Sequence, residues 1–141
     1  LYGMIKKYKV TNWKKGNPME FRIIAADKNP VVAIEENGIF VASSQDKLDN
    51  IATANYQHNC SRLIVKKENI AETFFDLKTG LAGDVLQKVV NYHAALAIVG
   101  DFSGYTSKAL KDFIYESNKG TRVFFAPDEA AAIQKLQTSV L

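Results

Sequence analysis

The sequence predicts an α/β fold, a mixed and mostly parallel sheet of about 4–6 strands with about four helices, because strand-like and helix-like segments alternate along it. Two runs, "RLIV" at 62–65 and "ALAIV" at 95–99, are near-continuous in apolar side chains, as in central strands covered on both faces. The connections between strands hold apolar residues at helical spacing, so they are expected to be right-handed crossovers.

The elements follow in order from Met19. "EFRIIAA" and "PVVAIEE" are β-rich runs divided by "DKNP", a turn signal. "GIFVA" is a third short run, opened by Asn37-Gly38, a tight-hairpin dipeptide. Ser43 and Asp46 stand at capping-box spacing before a helix with Leu48, Ile51, Ala52 and Tyr56 on one face. "RLIVK" is a buried strand, and residues 66 to 79 form a long connection that tucks Ile70, Phe74 and Phe75 onto the core. A helix is expected from about Gly80 to Tyr92, with Leu81, Val85, Leu86, Val89 and Tyr92 inward. "ALAIVG" is a strand, with Ile98, like Ile64 before it, expected to be fully buried. "SKALKDFIYESN" is a helix with Leu110, Phe113, Ile114 and Ser117 in register, and Asn118-Lys119-Gly120 is expected to end it in a left-handed conformation. "RVFFA" is the last strand. Pro127 and Asp128 start a final helix with Ile133 and Leu136 inward.

Length and composition bound the function. With 141 residues, 47% hydrophobic and 23% charged, the chain matches one globular domain that can bury a core. The net charge of +3 is uneven: residues 1 to 18 hold Lys6, Lys7, Lys9, Lys14 and Lys15 and no acid. Without those five, the 18 basic side chains fall below the 15 acidic ones, so nucleic acid is not an expected partner. This basic leader has no clear period and is read either as a flexible arm for acidic surfaces or as sequence upstream of a natural start at Met19. It is expected to add little stability, leaving residues 19 to 141 as a single domain. Cys60 is the only cysteine, which suits a reducing compartment. No apolar run approaches the ~18 residues of a membrane span, and a soluble cytoplasmic protein is expected.

The order of elements resembles the STAS fold of bacterial anti-sigma-factor antagonists and transporter-associated regulatory domains. Those domains carry an Asp-Ser-Ser-Gly-Leu-like turn at the start of the helix after the first central strand. Here "DLKTGLAGD", residues 76 to 84, offers Asp76 and then Thr79-Gly80-Leu81, with one more residue between acid and hydroxyl. The resemblance places the regulatory phosphorylatable hydroxyl on Thr79. "SSQDKLDNIAT", "FFDLKTGLAGDVLQKVVNY", "LAIVGDFSGYTSKALKDFIYESNKGTRVFF" and "DEAAAIQKL" are similar to the bacterial family catalogued as domain of unknown function 4180, a resemblance covering nearly all of residues 19 to 137.

Ligands of open parallel sheets sit beyond the carboxyl ends of the strands. That rim is expected to gather Asp76, Lys78, Thr79, Gly80, Asp101, Ser103, Tyr105 and Thr106. Thr79 has three readings: a helix cap, a phosphosite at a helix N-terminus, or part of an anion pocket with Lys78 and the N–H groups of Gly80 and Leu81. Gly80 and Gly83 lack dinucleotide and Walker spacing and are read as points of close helix-to-strand approach. Asp101 is read as a turn or cap carboxylate, and His58 and His93 as helix-end residues. No catalytic residues, metal site or cofactor are implied. The function expected is a non-enzymatic regulatory or protein-interaction module. The alternative is a small-molecule or nucleotide-binding protein, an enzyme or not, using the same rim, with a small anionic ligand. The oligomeric state is left open.

Overall fold

The computed structural model describes residues 5–11, 18–24, 29–34 and 61–139. The "GIFVA" strand, the helix opened by Ser43, His58 and Cys60 lie outside the described residues.

Among the described residues six strands form one sheet in sequential order: β1 (Ile5–Thr11), β2 (Pro18–Ile24), β3 (Val31–Ile34), β4 (Arg62–Lys66), β5 (Ala95–Val99) and β6 (Val123–Ala126). β1 pairs antiparallel with β2, and β2 with β3. From β3 to β6 every pairing is parallel, so the expected mixed α/β sheet is present. The leader, which has no clear period, contains β1, paired from Ile5 opposite Ile24 to Thr11 opposite Pro18.

Three α-helices are described: α1 (Leu81–Asn91), α2 (Lys108–Lys119) and α3 (Glu129–Thr138). Alternation along the strands sorts the core into two layers. Leu63, Val65, Leu96, Ile98, Val123 and Phe125 pack with Leu81, Val85 and Val89 of α1 and Leu110 of α2. Ile64, Ala95, Ala97, Phe124 and Ala126 face the other way, against Ala132, Ile133 and Leu136 of α3. The alanines on that second face leave room for α3 to sit close to the sheet. Ile98 and Ile64 are buried, as expected for central strands. Ile70, Phe74 and Phe75 are buried in the first layer, so the long connection does tuck onto the core. That connection is three consecutive 3₁₀ turns, Lys67–Asn69, Glu72–Phe75 and Leu77–Thr79.

Several expectations need correction. Tyr92 is 39% exposed, because α1 ends at Asn91 and the ring turns outward with the Lys88 ammonium 6.0 Å away. Gly120 ends α2 in extended backbone (φ −88°, ψ −157°) and not in the left-handed region, its N–H bonding the Ser117 carbonyl. Gly80 and Gly83 mark no close approach, since a Cβ on either would meet nothing within 4 Å. Gly80 is needed for its positive φ of 81°.

Arg62 supplies a tie that spacing could not reveal. Its Nε and Nη2 donate to the carbonyls of Leu136 and Ser139 at 2.7 and 2.8 Å, with the side chain buried. A guanidinium there satisfies orphan carbonyls at the end of α3 and opposes the negative end of its dipole. Burial pulls its pKa below the ordinary arginine value.

Candidate functional site

Parallel pairing of β4, β5 and β6 brings the segments that follow them to one edge of the sheet. After β5 the chain passes to the α2 face, and after β6 to the α3 face. The loops that leave β5 and β6 therefore run to opposite faces of the sheet. The Gly100 N–H donates to the Ala126 carbonyl at 3.0 Å and ties the ends of β5 and β6 together.

One group of side chains converges at this edge of the sheet. Asp101 accepts from the Ser103 N–H at 2.9 Å and from its hydroxyl at 2.6 Å, the turn carboxylate expected of it. The Ser103 hydroxyl, then its N–H, and then the charge of Lys67 lower the Asp101 pKa. Tyr105 stacks on Phe75 with centroids 5.0 Å apart, and its hydroxyl donates to the Glu72 carboxylate at 2.9 Å. Partial burial, then the bond to Glu72, then its charge push the phenol up to about 12. The Lys67 ammonium lies 5.1 Å from the Tyr105 ring centre, a cation–π distance.

Lys67 and Glu72 were not among the residues expected at the rim. The positional rule applied to Asp101 points equally to Lys67, which directly follows β4. Glu72 carried no such signal, since its place depends on the path of the 3₁₀ turns. Gly100 also has a role that the sequence did not mark. A Cβ added there would lie 2.7 Å from the Lys67 Cβ, so only glycine lets the lysine stem cross the end of β5.

Asp76, Lys78, Thr79 and Gly80 form a second group, on the turn that opens α1. The Asp76 carboxylate accepts from the Lys78 N–H at 3.3 Å. Gly80, not Thr79, occupies the N-cap position of α1. The Thr79 hydroxyl does accept from the Leu81 N–H at 3.3 Å, but its own proton faces the carbonyls of Thr73 at 2.6 Å and Asp76 at 2.9 Å. Its main local work is therefore to lace two 3₁₀ turns together, and the residue is exposed. Thr106 is exposed beside Tyr105. His93 closes the turn after α1 in a left-handed conformation (φ 52°).

The two groups meet through the turn Glu72–Phe75, where Glu72 holds Tyr105 and Thr73 holds Thr79. Among the described residues no hydrogen bond joins Asp76, Lys78 or Thr79 to Asp101 or Ser103. Ser103 gives its proton to a carboxylate of lowered basicity, and Tyr105 keeps its proton at neutral pH. Among the described residues no three His, Cys, Asp or Glu side chains gather as metal ligands, and no helix is long and apolar enough to cross a membrane.

Fold and rim together define an α/β protein with a parallel half-sheet and a polar edge at its carboxyl ends. The family model described as Domain of unknown function (DUF4180) matches residues 26–136, well over half of the chain, and the protein belongs to that family. The match begins after β2 and includes both groups of the rim. No curated protein and no solved structure matches the chain.

Proposed function

We propose that this protein is a non-enzymatic regulatory or protein-interaction module of the STAS-like kind, working in the bacterial cytoplasm. Its contact surface is the rim at the start of α1. The observation that carries the reading is the exposed pair Thr79-Gly80, followed by buried Leu81, which leads into α1 after the central strand β4. The resemblance to STAS domains would put their regulatory hydroxyl there, on Thr79.

Phosphorylation of Thr79 would have a local consequence. The ester oxygen has no proton to give, so the bonds to the Thr73 and Asp76 carbonyls are lost and the new anion faces both oxygens. The two 3₁₀ turns then have to part, changing the surface offered to a partner. Thr79→Asp lacks the same proton donor and imitates part of this charge, while Thr79→Ser keeps the donor. The test is capture of partners from host lysate by the wild type and both variants, with mass spectrometry for phosphothreonine. A partner held by the wild type and Thr79→Ser and lost by a folded Thr79→Asp is the expected result. Equal capture by all three would refute the reading.

The second reading, a site for a small anionic ligand or nucleotide, is favoured by the Lys67 ammonium lying near the Tyr105 ring, just beyond the carboxyl ends of β4 and β5. It requires thermal stabilisation by inorganic phosphate or a nucleotide that Lys67→Ala abolishes.

A further inference from the structure

The last strand of the sheet has β5 on one side and, among the described residues, no strand on the other. The Leu96 N–H bonds the Arg122 carbonyl and the Gly100 N–H bonds the Ala126 carbonyl. Residues 122, 124 and 126 therefore turn their backbone groups toward β5, and Val123 and Phe125 turn theirs to the open edge. The strand itself is "VFFA", with no charge, no proline and no glycine. Short segments of that kind on an open edge are templates for pairing with their own copies. Pro127 directly after β6 limits the template at one end, because it has no N–H to offer.

The middle of the strand is covered in another way. The Asn118 Oδ1, on the last turn of α2, accepts from the outward Phe125 N–H at 2.8 Å. It stands where the carbonyl of a neighbouring strand would be. α2 is held in place for this by Leu110, 1% exposed, and by Phe113, whose ring meets Phe125 edge to face at 6.0 Å. We infer that Asn118 is a plug on the open edge of the sheet, keeping β6 from pairing with the β6 of a second copy of this chain. The inference is independent of the rim and of its function.

The test compares full-length variants for self-association, read by sedimentation and by thioflavin binding over time. Asn118→Leu keeps the size of the side chain and removes the acceptor; Asn118→Ala removes it without the bulk. Both should raise the rate of assembly several-fold and speed hydrogen exchange at the Phe125 amide. Asn118→Asp keeps an acceptor oxygen and should stay at the wild-type level. Loss of stability alone also promotes assembly, so Ile133→Val and Ile133→Ala, on the opposite face of the sheet, serve as controls that bracket it. The inference is overturned if the Asn118 variants assemble no faster than Ile133 variants of equal melting temperature. An unprotected Phe125 amide in the wild type would overturn it as well.

Discussion

Arg62→Met removes the tie between β4 and the end of α3 while keeping a long apolar stem. The guanidinium gives two hydrogen bonds, to the Leu136 and Ser139 carbonyls at 2.7 and 2.8 Å. Bonds to a charged group are worth about 1.5–3 kcal/mol each, but two effects reduce the loss here. The Leu136 carbonyl keeps the Ser139 hydroxyl at 2.6 Å, so the larger loss falls on the Ser139 carbonyl. The variant also no longer desolvates a cation. A net cost of about 2 kcal/mol follows, near one bond's worth. For a domain this size that lowers the melting temperature by about 6–10 °C. Urea melts followed by circular dichroism give the free energy, and hydrogen exchange shows whether the last turn of α3 opens first. Arg62→Lys should recover only part, since an ammonium does not present the planar fork. A Met variant within about 0.5 kcal/mol of the wild type, the range of an ordinary surface change, would refute the role of the tie.

Gly100→Ala should cost about 1–3 kcal/mol by overpacking, because the new methyl meets the Lys67 Cβ at 2.7 Å and the lysine stem must move. A loss within about 0.5 kcal/mol in the same melts would mean that Lys67 does not cross the strand end as described. Tyr105 is raised from 10.0 to about 12, so the fold favours the neutral phenol. Its contribution to stability is whole below pH 10 and is lost as pH rises through about 12. The tyrosinate absorbance of the wild type minus that of Tyr105→Phe should therefore titrate late, and a midpoint at the ordinary value of 10.0 would contradict the burial and the Glu72 bond.

Much of the fold and part of the rim were legible in the sequence. Apolar runs placed β4, β5 and β6, helical spacing placed α2, and Pro127-Asp128 placed the start of α3; Ser107 and Asp128 cap these helices by accepting from the N–H groups of Leu110 and Ala131. These features are local: a cap needs three residues, and a buried strand needs only that both faces be apolar. The same locality exposed Asp101 and Ser103, whose bonds span two residues. Thr79 was legible as a hydroxyl at a helix start, but not in its bond to Thr73, six residues back, because that depends on how successive 3₁₀ turns stack. β1 was illegible because its pairing with β2, and not its own pattern, makes it a strand. Tertiary structure alone decided that Arg62 closes a helix 74 residues away, that Glu72 holds Tyr105 across 33 residues, that Lys67 crosses Gly100, and that Asn118 serves β6 before it serves its own helix. The physical reason is common to all four. Each polar group or stem has several chemically adequate neighbours along the chain, and only the packing of helices on the two faces of the sheet selects which one it meets.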